Sequence, residues 1–356
     1  MLLTEVFSAR AVAVRQSNDP SNLEAFLGPR FFPSRRKMGI DLKFFNVHRD
    51  VGTALKPSSL DAMATIRPRG GFKMTAEQMP LFRESMMISE TDLVEIQRAQ
   101  DSNDPYLNET LGRIYDDVGE LVNGADISVE RMRMSLMAPV SGDLIIKIGM
   151  SDNTLYKYNY DANGTWKATN YLELTGTDTW DKSSTATPLN DLQKGTEVLT
   201  GAGVIPTYAI MNSVTLNYLL QSEQIQKMSA ARQYGINTGF LDKNAAKAIV
   251  TAATGLTVLV YDKKYKDYDG NTYKYFPDNC VTIVGAETLG YTWYGVTPEE
   301  RTLLGDPKVD VSILESGVAI AVKTDYGPPV QYSTTASQIV LPSFEGMDSI
   351  FTIKVK

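Results

Sequence analysis

The chain has 356 residues, 43% hydrophobic and 22% charged, a composition that excludes a disordered polymer and supports two or three compact lobes. Its formal net charge of −7 argues against a nucleic-acid binder, because neutralising phosphates takes clustered Lys and Arg. The charge is divided: residues 1–75 hold twelve Lys/Arg against six Asp/Glu, the remainder 23 against 36. A basic front end on an acidic body is expected to touch acidic surface, on its own body or on neighbouring copies.

Residues 1–42 read as an extended arm after a short opening helix. Asp19-Pro20, Gly28-Pro29 and Phe32-Pro33 punctuate it, and proline blocks helix continuation. Glu5, Arg10 and Arg15 interrupt the opening residues, so no signal peptide is expected, and no run reaches membrane-spanning length. Phe26, Leu27, Phe31 and Phe32 need burial, either on the chain's own core or on a neighbour. Alternation at 43–48 and again at 67–74 predicts two ribs of a long hairpin within residues 43–90. A two-stranded ribbon is marginal in water, so this hairpin needs a partner surface.

The next segment gives the clearest helical pattern. Leu107, Leu111, Ile114, Val118, Leu121, Val122, Val129, Met132 and Leu136 recur at helical spacing with no proline among them. Asp104-Pro105 supply a cap and an N1 proline, and Pro139 ends the run. Unbroken, the helix would have about 31 residues and a length of roughly 46 Å. Gly112, Gly119 and Gly124 weaken it, and a kink is expected near Gly124. Glu109, Asp116, Asp117, Glu120, Asp126 and Glu130 form its outer face, either simply solvated or a docking strip for a neighbour's basic segment. Beyond it, 144–149 alternates as a strand. Residues 155–160 and 165–169 predict a hairpin turning at Asp161-Ala162-Asn163-Gly164. Residues 171–187, rich in Thr, Ser and Asp, read as a loop.

From 191 onward helices alternate with strands. An amphipathic helix is predicted over 212–228 and a loop or short helix over 238–246. Residues 255–299 are the most informative part of the chain. The β-branched run 257–261 predicts a buried strand, and 265–275 an aromatic hairpin turning at Asp269-Gly270. Phe276-Pro277-Asp278-Asn279 breaks the chain before a second apolar strand, 281–285. Cys280 borders that strand; as the single cysteine it excludes an intrachain disulfide and fits a reducing cytoplasm. Tyr294-Gly295 and Thr297-Pro298-Glu299-Glu300 close the segment. Strand-like runs follow at 309–314, 318–323, 330–332, 339–341 and 350–355.

Catalytic signatures are nearly missing. The only histidine, His48, lies in His48-Arg49-Asp50, an echo of a kinase catalytic loop with Leu55 in place of its asparagine and no glycine-rich loop. Asp267-Tyr268-Asp269-Gly270 echoes a calcium loop, yet Tyr265 and Phe276 stand where ligands belong. Gly201-Ala202-Gly203 lacks the third glycine of a dinucleotide fingerprint. No Walker, zinc or serine-elbow spacing occurs, so no catalytic residue, cofactor or metal is expected. The 18 Tyr and 3 Trp, with acidic loops, leave a β-rich carbohydrate-binding or carbohydrate-active protein as the alternative to a structural one.

Several motifs stand in a particular order. Phe31-Phe32-Pro33 with Ile40-Asp41, Glu130-Arg131-Met132 before the apolar run from Leu144, and Trp180 ahead of Leu189-Asn190-Asp191-Leu192 come first. Met211-Asn212, the 255–299 segment and Thr334-Thr335 to Leu341-Pro342 follow. Together they resemble the major capsid protein E family of tailed bacteriophages, the lambda-type shell proteins.

The resemblance implies an α+β fold of the Hong Kong 97 type. Its parts would be an N-terminal arm (1–42), an extended loop hairpin (43–90), a peripheral domain with a long spine helix and sheet (91–187), an axial domain (188–300) and return strands to the peripheral domain (301–356). It implies a non-enzymatic major capsid protein whose copies form hexamers and pentamers of an icosahedral head. That head would enclose double-stranded DNA without sequence-specific binding. Implied partners are a scaffolding protein, a portal protein and in some cases a decoration protein, with no membrane and with assembly in the host cytoplasm. Intersubunit contacts are expected from Phe31 and Phe32, and from Arg67, Arg69 and Lys73 meeting Asp116, Asp117 and Glu120 of a neighbour. Loops at 267–275 or 235–243 would lie around the symmetry axes. The polar 161–187 stretch, longer than the family core needs, is expected on the shell surface.

Overall fold

The computed structural model describes residues 26–46, 73–88, 106–150, 153–232, 241–267, 270–303, 309–314, 317–325 and 331–356, with the isolated residues 91, 94, 98 and 327. The chain divides into two compact units. Residues 1–42, 76–132 and 291–343 form the first, and 43–75, 133–290 and 344–356 the second. The chain passes between the two units at 42/43, 75/76, 132/133, 290/291 and 343/344. Sequential blocks cannot anticipate this, because strand pairing between distant segments makes each unit.

In the first unit, α1 (Gly28–Phe31) is a single turn with Pro29 at its start, where a missing N–H costs nothing. β1 (Ser34–Arg36) follows, while β2 (Asp41–Asn46) and β3 (Lys73–Gln78) form a two-stranded ribbon whose residues 43–46 and 73–75 belong to the second unit. The predicted hairpin tip between β2 and β3 lies outside the described residues. β4 (Leu81–Ile88) joins a sheet built on β13 (Thr292–Tyr294), β14 (Val309–Ile313), β15 (Ala319–Asp325) and β16 (Gln331–Pro342).

β16 is one strand of twelve residues where separate strands at 330–332 and 339–341 were expected. Its partners explain the continuity. β4 pairs with it from Tyr332 to Ile339, and β13 takes over from Val340 to Pro342. The helix α2 (Tyr106–Met137) runs 32 residues and passes through Gly124 without interruption. In the first unit its Leu121, Val122 and Ala125 pack with Val318, Ile320, Val322 and Ala336. The short α8 (Pro298–Leu303) completes this unit.

The second unit opens with a hairpin of β5 (Ile145–Met150) and β6 (Asn153–Asn159). The hairpin predicted from 155–160 and 165–169 is therefore wrong in its second rib, which is the helix α3 (Thr165–Asn170). The physical cause is Asp161. Its carboxylate accepts from Thr165 N at 2.9 Å and Lys167 N at 3.0 Å, satisfying first-turn donors that a returning strand would have paired elsewhere.

A five-stranded sheet orders β7 (Tyr171–Glu173), β17 (Ile350–Lys354), β12 (Cys280–Gly285), β8 (Pro206–Met211) and β9 (Thr257–Val260). The expected loop at 171–187 thus begins with an edge strand. β17 belongs to this sheet of the second unit, apart from β14, β15 and β16. Helices α4 (Pro188–Gly201), α5 (Ser213–Gln221), α6 (Glu223–Arg232) and α7 (Lys243–Thr254) pack on it through Leu192, Leu199, Leu216, Ile225 and Val250. Burying each such side chain stabilises by about 1.5–3 kcal/mol. At Gly195 a Cβ would come within 2.6 Å of Ile283 and 2.7 Å of Phe351, so only glycine permits this approach of α4 to the sheet. The helix predicted over 212–228 is two helices, because extended Ser222 ends α5 while its carbonyl accepts from Gln226 N in α6.

Cys280 lies fully buried in β12, and burial pushes its thiol from 9.0 up to about 12. The native protein should therefore resist thiol reagents at pH 8 and take up one equivalent on unfolding in denaturant. Because the folded value exceeds the unfolded one, the associated stability is whole below about pH 9 and falls as pH rises towards 12. Cys280→Ala should flatten that part of the stability profile. Rapid native labelling would contradict the buried placement.

Candidate assembly surfaces

The arm motif and the helix motif meet in the first unit. Gly28 N donates to Glu130 Oε1 at 2.9 Å, and Thr292 Oγ1 donates to the Phe32 carbonyl at 3.1 Å. Phe31 and Phe32 are fully buried within the described chain. Both rings are packed within the chain itself. Glu130 is likewise fully buried and does not belong to a solvated outer face. Periodicity misplaces it because α2 is buried over most of its circumference near its end: Val129, Met132, Arg133, Met134 and Leu136 are all inside, and Arg131 and Ser135 are half-buried.

Arginines of the first unit find acids on that same unit. Arg36 of β1 pairs with Glu300, and Arg83 of β4 pairs with Glu299, whose second oxygen accepts from Ser337 Oγ at 2.8 Å. The Arg35 guanidinium lies 3.4 Å from the Tyr291 ring centroid and 5.8 Å from that of Trp293. The Thr297-Pro298-Glu299-Glu300 exit is thus a receptor for arginines of the chain itself. Both ion pairs are partly exposed, so each contributes roughly 0–1 kcal/mol.

Two motifs pin the second unit. Trp180 is fully buried and its Nε1 donates to Asp191 Oδ2 at 3.1 Å; Lys194 Nζ approaches the other oxygen at 3.2 Å. Trp180 N also donates to the Val355 carbonyl at 2.9 Å. The second motif centres on Asn212, the N-cap of α5. Its Oδ1 accepts from Thr215 N at 2.9 Å, and its Nδ2 donates to Asp278 and to the Phe276 carbonyl. Asn279 adopts φ 62°, a left-handed conformation that asparagine tolerates, and its N–H donates to Thr215 Oγ1 at 3.1 Å. The Phe276-Pro277-Asp278-Asn279 break is therefore bonded to a helix start 64 residues earlier in the chain.

Just before it in sequence, β10 (Lys264–Lys266) and β11 (Thr272–Lys274) form the predicted aromatic hairpin. Tyr265 and Tyr273 face each other across it with ring centroids 5.9 Å apart, and Tyr265 and Tyr275 lie 4.8 Å apart. Gly270 takes φ +81° at the turn.

Of the remaining predicted contact residues, Glu120 is exposed on α2. Lys73 lies in β3 and Asp116 and Asp117 in α2, with side chains outside the described set; Arg67 and Arg69, like most of the 235–243 loop, lie outside the described residues. Nothing described brings the basic and acidic sets together. Met38, Met87 and Ile205 are exposed apolar side chains that sequence reasoning did not single out. Among the described residues no group of three or more His, Cys, Asp or Glu is placed to hold a metal, and no helix is long and apolar enough to cross a membrane.

A long helix over one sheet and a second sheet flanked by four helices define a Hong Kong 97-type capsid fold, and solved structures share it. A protein described as the capsid protein of an Escherichia coli CFT073 prophage matches with a TM-score of 0.60 at 13% identity, covering 98% of this chain and 99% of its own. A phage-related protein of Bordetella bronchiseptica RB50 matches with a TM-score of 0.56 at 12% identity, covering 98% and 96%. Identities this low speak to fold alone. Residues 8–310 match the phage major capsid protein E family. The chain belongs to that family, and it is a shell-forming component of a phage virion. The carbohydrate reading is set aside by this match. No curated protein matches the chain by sequence.

Proposed function

We propose that this chain is the repeating subunit of a closed, non-enzymatic icosahedral head, with copies in hexamers and pentamers around double-stranded DNA. The family match over residues 8–310 carries this reading. Identical subunits build closed shells only when their heterologous contacts close around rotation axes; contacts that fail to close give open polymers. The first unit, with the long helix, would serve as the peripheral domain, and the second as the axial domain. Residues 43–90 would reach a neighbour, with Arg67, Arg69 and Lys73 meeting Asp116, Asp117 and Glu120 there. The β10–β11 turn or the 235–243 loop would lie near the axes. A scaffolding protein, a portal protein and a decoration protein are the proposed partners, with assembly in the host cytoplasm and no membrane step. Sedimentation of the full chain co-expressed with its scaffolding protein tests the reading. Capsomers and large closed particles are expected; a small species at every concentration, with a measurable hydrolytic activity, would overturn it.

A further inference from the structure

Two ribbons of the second unit carry lysines directly opposite each other. Lys264 faces Lys274 across β10–β11, and Lys147 faces Lys157 across β5–β6. Like charges in opposed positions destabilise an antiparallel pair. The chain offsets the first rung itself, since Asp278 pairs with Lys274 at 2.6 Å. It does not offset the second. Lys147 and Lys157 are both exposed, and neither forms an ion pair among the described residues. Nor can the rung turn inward. The other face of the ribbon is committed to packing, with Ile146 and Tyr158 buried, and strand alternation holds the lysines outward.

We propose that the Lys147–Lys157 rung is an intersubunit contact that receives carboxylates from a second copy of this chain. This rests on the shell reading given above. Charge complementarity points to the second copy: beyond residue 75 the acids outnumber the bases 36 to 23. Asp41, Glu84, Glu120 and Glu197 are exposed carboxylates with no ion pair among the described residues. A carboxylate seated between the two ammonium groups removes a repulsion that the isolated subunit retains. The contact is correspondingly screened by salt, with a Debye length of about 8 Å at physiological ionic strength.

The test compares Lys157→Glu and Lys147→Glu with the wild type, as full chains under conditions where the wild type forms particles. Each variant turns a repulsive rung into an attractive one, so the isolated subunit should keep or slightly raise its Tm. Particle yield should nevertheless fall by about tenfold or more, and surviving particles should dissociate at lower salt. Lys157→Gln, which only removes charge, should fall between. Wild-type yield and salt tolerance in both charge reversals would overturn the proposal. A lower Tm in the isolated variants would also overturn it, by showing that the rung is satisfied within the chain. So would a defect confined to DNA-filled heads, with empty particles forming normally, because that outcome assigns the rung to phosphate. Failure of the wild type to form particles at all would instead count against the shell reading.

Discussion

Replacing Phe32 by alanine should cost the isolated subunit about 3–5 kcal/mol, the range for emptying a buried aromatic site. The motif it belongs to sits in an arm that, on sequence grounds, could equally have packed on a neighbour. In the structure Phe32 is fully buried, and its carbonyl accepts from Thr292 of β13. The loss should therefore be visible in unassembled protein, as an early denaturant midpoint, before any effect on assembly is measured. If the isolated variant were as stable as wild type and only assembly suffered, Phe32 would be a neighbour's residue after all.

A comparable loss is expected at Trp180. Trp180→Ala removes a fully buried indole and strands the Asp191 carboxylate, itself buried, with Lys194 as its remaining side-chain partner. About 3–5 kcal/mol should go with the ring. Trp180→Phe separates the two effects: it keeps most of the apolar volume and loses only the N–H donor, for about 1–3 kcal/mol. Equilibrium unfolding of both variants checks the ordering. A phenylalanine variant as stable as wild type would mean that the Trp180–Asp191 hydrogen bond adds nothing.

These two residues also show what the sequence could disclose. Strong local signals survive into the structure: the long helix, the aromatic hairpin at 265–275 and the two apolar strands at 257–261 and 281–285. Each is set by its own periodicity and turn residues. The motifs that carried the family resemblance were legible as spacing, but their physical reason was not. Glu130 matters because it receives the Gly28 N–H, and Asn212 because it ties a helix start to the break at 276–279; each bond spans more than 60 residues. Glu299 and Glu300 read as a polar exit and prove to be receptors for Arg83 and Arg36.

The differences share one origin. Glu130 is inside because most of the circumference of this helix end is buried, which leaves little amphipathic trace. Residues 165–169 are a helix because Asp161 bonds its first turn, although Asn163-Gly164 signals a hairpin. β16 and β17, neighbours in sequence, pair into different sheets. In each case a contact distant in sequence, or a side chain bonding its own backbone, outweighed the local pattern.

Electron microscopy of the full chain, purified after co-expression with its scaffolding protein, tests the central claim most directly. Closed icosahedral shells are predicted, with five-fold and six-fold clusters of the subunit and density for each copy that follows the two sheets and the long helix described above. Uniformly monomeric material, or open sheets and filaments that never close, would contradict the account.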